Sequence, residues 1–141
     1  MIFRLNSYLG KWYEIARIKN DFEPDMRNVT AQYNPILEDV IQVINTGYVG
    51  NELKQIIGIA KTTEESGVLK VSFFPNVFAE YRILYVDNDY QHALVGGSYN
   101  NYLWILSRTP EMDKSKLEEL ISIATERGYY TDRIVLTEHD Q

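Results

Sequence analysis

The 141-residue chain contains no cysteine, only four prolines and only two histidines. Without cysteine there is no disulfide framework, no thiol nucleophile and no thiolate metal site. His92 and His139 stand far apart in sequence, one expected at the closed end of a barrel and one in the tail, without the paired spacing that holds a metal. No serine sits in a Gly-x-Ser-x-Gly turn. Gly96-Gly97 lies between two apolar runs, where a hairpin turn accounts for it better than a phosphate loop. No catalytic residue, metal or cofactor is implied. No apolar run approaches the ~20 residues of a membrane-crossing helix, and Met1-Ile2-Phe3-Arg4-Leu5 reads as too short and too soon charged for a signal peptide. The formal charge of −6, from 14 basic and 20 acidic side chains, opposes a phosphate backbone and argues against nucleic acid as a partner.

What is present is ordinary in amount and regular in pattern. A composition 45% hydrophobic and 24% charged suits one domain over residues 1–141, with a core of its own. Short alternating runs recur about every dozen residues: Lys11–Ile18, Asn28–Asn34, Val40–Thr46, Leu53–Lys61, Val68–Phe74, Glu80–Val86, Gln91–Gly96 and Tyr102–Ser107. Turn residues such as Gly50-Asn51, Pro75-Asn76 and Asp87-Asn88-Asp89 divide them, as in an antiparallel meander. The period then changes. Leu117, Leu120, Ile121 and Ala124 fall on one helical face, so 113–127 predicts an amphipathic helix, with Ser115 and Glu118 as a capping box and Gly128 as a stop. Arg133–Thr137 reads as a ninth strand. The fold class is all-β: an eight-stranded antiparallel up-and-down barrel with a C-terminal helix packed outside.

Two segments carry the closure of that barrel, Gly10-Lys11-Trp12-Tyr13-Glu14-Ile15-Ala16-Arg17 and Tyr102-Leu103-Trp104-Ile105-Leu106-Ser107-Arg108-Thr109-Pro110. Trp12 at the start of the first strand and Arg108 just past the last can meet as a cation over an indole and plug one end, an interaction worth ~0.5–2 kcal/mol. With Asp89-Tyr90 before His92-Ala93-Leu94-Val95, and with Lys70-Val71-Ser72-Phe73-Phe74, these segments resemble the lipocalins. The resemblance is to the bacterial branch, whose relatives include apolipoprotein D and the plant temperature-induced lipocalins, and it runs from about Phe3 to about Thr137. It implies a ligand-binding calyx and a place in the periplasm or outer membrane. Bacterial relatives are often lipoproteins, and this sequence shows neither a leader nor a cysteine to lipidate, which leaves a cytoplasmic location open.

An eight-stranded barrel either fills with its own side chains or holds one small ligand. Alternation from Trp12 puts Glu14 and Ala16 inward, and counting back from Arg108 puts Leu106, Trp104 and Tyr102 inward. Matching the family pattern adds Ala31, Tyr33, Val43, Asn45, Ile56, Gly58, Ala60, Leu69, Val71, Phe73, Tyr81, Ile83, Ala93 and Val95. Small residues such as Ala16, Ala31, Gly58 and Ala60 are expected to leave volume, and Tyr33, Tyr81, Tyr102 and Trp104 to give an apolar wall with polar tips. The same pattern also satisfies an interlocked core. An inward Glu14 requires a partner, water or a proton, or else the face assignment is off by one.

The loops after strands one, three, five and seven are expected to ring the mouth and to carry Phe22, Tyr48, Val49, Val77, Phe78 and Tyr99. This apolar rim would admit lipid, touch a membrane surface or meet a second copy of the chain, which leaves both monomer and homodimer open. Arg17, Lys19 and Arg82, with Arg27 nearby, are head-group candidates for a phosphate or carboxylate; as surface cations they would be solvated instead. A lipid chain of about sixteen carbons offers roughly 12 kcal/mol gross on burial, of which several are lost to ordering. The expected function is binding and transport or storage of a fatty acid or lysophospholipid, in envelope lipid maintenance. The alternative is a filled barrel that acts as an interaction module through its apolar mouth.

Overall fold

The computed structural model describes residues 3–19 and 25–140. Among the described residues nine strands form one antiparallel sheet: β1 Gly10–Ile18, β2 Arg27–Leu37, β3 Val40–Val49, β4 Glu52–Thr62, β5 Val68–Phe74, β6 Val77–Val86, β7 His92–Gly96, β8 Leu103–Ser107 and β9 Ile134–Leu136. Strands β1 to β8 pair consecutively along the chain, and β8 pairs back onto β1, which closes an eight-stranded barrel. Closure removes the free edges that an open sheet of this size would present. Strand β9 adds to β1 beyond the point where β2 leaves it, with Ala16 opposite Leu136 and Ile18 opposite Ile134.

The α-helices among the described residues are α1 Leu5–Tyr8 and α2 Lys114–Glu126. In α2, Leu120 and Ala124 are buried, and Leu117 and Ile121 pack beside them, as the helical period requires. The capping box does not form: Asp113 is the N-cap residue, and no side chain bonds the free amides there. Ser115 instead lies inside the first turn, one residue past the helix start. Helix α1 has no counterpart in the sequence reading, because four residues carry too little periodicity to declare a helix.

The apolar residues sort into two layers. The inner cluster lines the barrel interior and includes Trp12, Tyr33, Val43, Leu69, Ile83, Val95 and Leu106. The outer cluster lies between barrel wall and α2 and includes Ile15, Ala16, Ile18, Leu94, Leu103, Ile105, Leu120 and Ala124. Strands β7 and β8 are therefore apolar on both faces, with Ala93 and Val95 inside and Leu94 outside. A strand covered on both sides reads as a continuous hydrophobic run rather than an alternation.

Ala16 is a correction. Between Glu14 and Ala16 the pairing with β8 slips by one residue, so Glu14 faces Leu106 and Arg17 faces Trp104. This β-bulge at Ile15 sends both Ile15 and Ala16 to the outer layer and hands the next inward position to Arg17. Simple alternation cannot register an extra residue, so every assignment past the bulge reverses.

Candidate functional site

The barrel interior is sealed at one end. Arg108 stacks over Trp12 with its Cζ 3.8 Å from the ring centroid. Its guanidinium donates to the carbonyls of Tyr90 (3.0 Å), Lys11 (2.9 Å), Ser7 (2.9 Å), Leu9 (3.1 Å) and Tyr8 (3.3 Å). Trp12 Nε1 donates to the Tyr8 carbonyl at 2.8 Å. One cation thus ties the entry segment, β1 and the turn before β7 together, which a neutral side chain with fewer donors could not do.

Above this plug lies a floor of three tyrosines. Tyr8 is fully buried and Tyr33 nearly so, while Tyr81 is partly exposed. The Tyr33 and Tyr81 hydroxyls bond at 2.8 Å, and the Tyr8 hydroxyl also bonds to that of Tyr81. The rings pack with Tyr8 5.5 Å from Tyr33 and 5.1 Å from Trp12. Burial raises all three hydroxyl pKa values, that of Tyr33 to about 12, so the floor is neutral at ordinary pH. Tyr8 was missed by alternation because it enters from α1 and not from a strand. Its position four residues before Trp12, in Tyr8-Leu9-Gly10-Lys11-Trp12, is the available signal.

From the floor upward, the inward residues become progressively open. Val43, Ala60, Leu69, Ile83, Ala93, Val95 and Leu106 are buried. Nearer the mouth Ala31, Asn45, Val71, Phe73 and Trp104 are half-buried, and Ile56, opposite Asn45 on the inner face, is 41% exposed. Tyr102 stacks on Trp104 at 6.4 Å with the ring planes 13° apart. Apolar side chains that face inward yet meet solvent mark an interior open at this end. Gly58 is a second correction. A Cβ there would strike the Ser72 carbonyl and lie 2.6 Å from Phe73 Cδ1, so the space above it is already filled by β5 and adds nothing to the cavity.

Charge gathers at the open end of β1. Arg17 is 2% exposed. Its guanidinium reaches Glu14 Oε2 at 3.5 Å and Asp25 Oδ1 at 3.0 Å. Glu14 is buried and accepts the Thr137 hydroxyl at 2.5 Å, while its backbone carbonyl lies 2.7 Å from His139 Nε2. The inward carboxylate is therefore paired, as a buried charge must be. Lys19 Nζ lies 3.8 Å from Asp25 Oδ2, with both side chains largely exposed. Arg17, Lys19, Asp25, Met26 and Tyr48 line an open cleft of about 370 Å³.

Arg82 does not belong to this group. It stands opposite Gly96 and Val68, next to inward Tyr81, and so points outside the barrel. There it bonds Glu65 at 2.7 Å and Glu80 at 3.4 Å, beside the turn between β4 and β5. Arg27 is also committed elsewhere, to Asp140 at 3.3 Å and to the Gly50 carbonyl at 2.6 Å. Around the rim Val49, Val77, Phe78 and Tyr99 are exposed, whereas Tyr48 is half-buried under Arg27. Phe22 lies outside the described residues.

A sealed floor, an apolar wall and an open charged mouth in an eight-stranded barrel agree with a family model described as a lipocalin-like domain, which matches residues 3–139. The chain belongs to the lipocalin family. Lipocalins bind small hydrophobic ligands and are generally not enzymes. The chain is 41% identical to the outer membrane lipoprotein Blc of Vibrio cholerae over 138 residues, covering 94% of this chain and 81% of that protein. It is 37% identical to temperature-induced lipocalin-1 of Arabidopsis thaliana, covering 86% and 72% of the two chains. Among solved structures, lobster apocrustacyanin A1 superposes with a TM-score of 0.80 at 20% identity, covering 98% of this lipocalin and 81% of that chain. That likeness fixes the fold and not the ligand.

Proposed function

We propose that this lipocalin binds and carries an amphiphilic lipid, a fatty acid or a lysophospholipid, with its chain in the barrel and its anionic head at the mouth. The observation that carries the reading is the direction of exposure inside the barrel, from buried Tyr8 and Tyr33 at the floor to partly open Trp104, Phe73 and Ile56 above. Such a gradient suits a ligand that enters tail first, because each methylene gains ~0.8 kcal/mol on leaving water. The head then stops beside Arg17 and Lys19, the two cations nearest the opening of the first strand. Asp25 already holds both of them, and a ligand carboxylate or phosphate would take the place of this exposed carboxylate without stranding a buried charge. The relatives' description as outer membrane lipoproteins supports a role in envelope lipid maintenance.

The test is a titration of intrinsic tryptophan fluorescence with hexadecanoic acid and with a lysophospholipid, on wild type and Trp104→Phe. Saturable quenching at micromolar ligand that is lost in the variant is the expected result. Absence of quenching by either ligand in lipid-free protein would overturn the carrier reading and favour a barrel that works through protein contacts at its apolar rim.

A further inference from the structure

The tyrosine floor carries one hydrogen more than it can use. Three neutral hydroxyls bring three O–H donors, and the described residues give them two mutual bonds, Tyr8 with Tyr81 and Tyr33 with Tyr81. Whichever way the protons are arranged, two are consumed and one remains. The oxygens keep spare lone pairs as well. The triad sits in an otherwise apolar layer of Val43, Leu69 and Ile83, where an unmade hydrogen bond is costly. Of the three, only Tyr81 is partly exposed, and it lies on the inward face between β5 and β7.

From this count and placement we infer that the floor is a second, polar subsite, which hydrogen-bonds a neutral oxygen at the buried end of the ligand. The inference rests on the calyx reading above. The subsite takes a hydroxyl, ketone or ester carbonyl and not a carboxylate. Arg108, stacked on Trp12, has its donors committed to backbone carbonyls, so an ionised group at the floor would find no guanidinium donor to pair with there. The preferred ligand is thus an oxygenated lipophile, anionic at the mouth and hydroxylated or oxo-substituted at its inner end. The donor site can rotate to suit either a carbonyl or a hydroxyl, since a phenolic O–H turns about its C–O bond.

The experiment compares saturated fatty acids of graded length with their ω-hydroxy counterparts, on wild type and on the isosteric triple variant Tyr8→Phe, Tyr33→Phe and Tyr81→Phe. Replacing all three hydroxyls at once leaves none unpaired, so folding is retained; circular dichroism and thermal unfolding verify it, and Tyr81→Phe alone serves as a second variant should the triple one fail. Wild type is expected to bind the ω-hydroxy acid of best-fitting length as tightly as the plain acid or tighter. The triple variant is expected to disfavour it by about tenfold or more, the cost of an unbonded hydroxyl in an apolar pocket. The same ratio of affinities in both proteins would overturn the floor subsite while leaving the calyx intact. Failure of wild type to bind any of the acids would overturn the calyx reading itself, and the subsite with it.

Discussion

The two ends of the barrel use polar groups in opposite ways. At the closed end the inward polar groups are three neutral hydroxyls bonded to one another, and the cation that seals them, Arg108, turns its donors away to backbone carbonyls. At the open end the groups are ionised, and Glu14, Arg17 and Asp25 balance one another within 3.5 Å contacts. The difference follows from water. Deep in the barrel an ion lacks solvation and must be replaced by a dipole, turned outward or paired, as buried Glu14 and Arg17 are, whereas at the mouth a carboxylate such as Asp25 keeps most of its hydration and can be exchanged for another anion. A closed end of neutral dipoles and an open end of paired ions make a polarised container, which supports the amphiphilic ligand proposed above.

The plug offers the largest effect with which to break this contrast. Trp12→Ala removes a fully buried indole and the platform under Arg108, and is expected to cost about 3–5 kcal/mol in urea unfolding. A loss below about 1 kcal/mol would mean that the closed end is not held by this pair.

The neutrality of the floor is tested by alkali. Burial holds the Tyr33 hydroxyl up at about 12, against 10.0 for the free group, and pushes Tyr8 and Tyr81 well above their ordinary value. Below pH 10 these tyrosines are protonated in both the folded and unfolded chain, and their contribution to stability is complete. As pH rises from about 10 toward 12 the unfolded chain releases its protons first, so stability falls. Tyr33 alone is expected to contribute a loss of about 2–3 kcal/mol across that window. Urea midpoints in the triple phenylalanine variant should fall distinctly less than in wild type; parallel curves would show that the floor does not resist ionisation.

The mouth is sharpened by Asp25→Asn. The substitution removes the carboxylate that now occupies Arg17 and Lys19, and should tighten hexadecanoic acid by about three- to tenfold while leaving a fatty alcohol unchanged. Equal tightening of both ligands would indicate a change of loop shape and not of charge. The smallest effect is expected at Arg82→Ala, which breaks only exposed pairs with Glu65 and Glu80 outside the barrel. Stability should fall by about 0–1 kcal/mol, and fatty-acid affinity should stay at the wild-type value; a clear loss of affinity would return Arg82 to the binding site.

Much of this architecture was legible from local pattern. Period two in eight runs, period 3.6 over one helix and the turn residues between them are consequences of backbone geometry acting on a few neighbours, so barrel, outer helix and final strand could be read directly. Arg82 was misplaced among the head-group candidates, although Tyr81 beside it already claims the inner face and so carries the signal for its outward position. Where the chain departs from strict alternation the reading failed, as at Ile15, whose bulge exchanges Ala16 for Arg17 on the inner face.

The sequence by itself determined the elements, their order and the residues able to close the barrel, because those depend on short-range geometry and on the chemistry of single side chains. The tertiary structure alone decided which polar groups meet. Tyr8, Tyr33 and Tyr81 come from a helix and two distant strands, and Glu14 finds Thr137 at the other end of the chain. Such meetings depend on register and bulges summed around a closed barrel, where a slip of one residue reverses a face, and no local pattern encodes that sum.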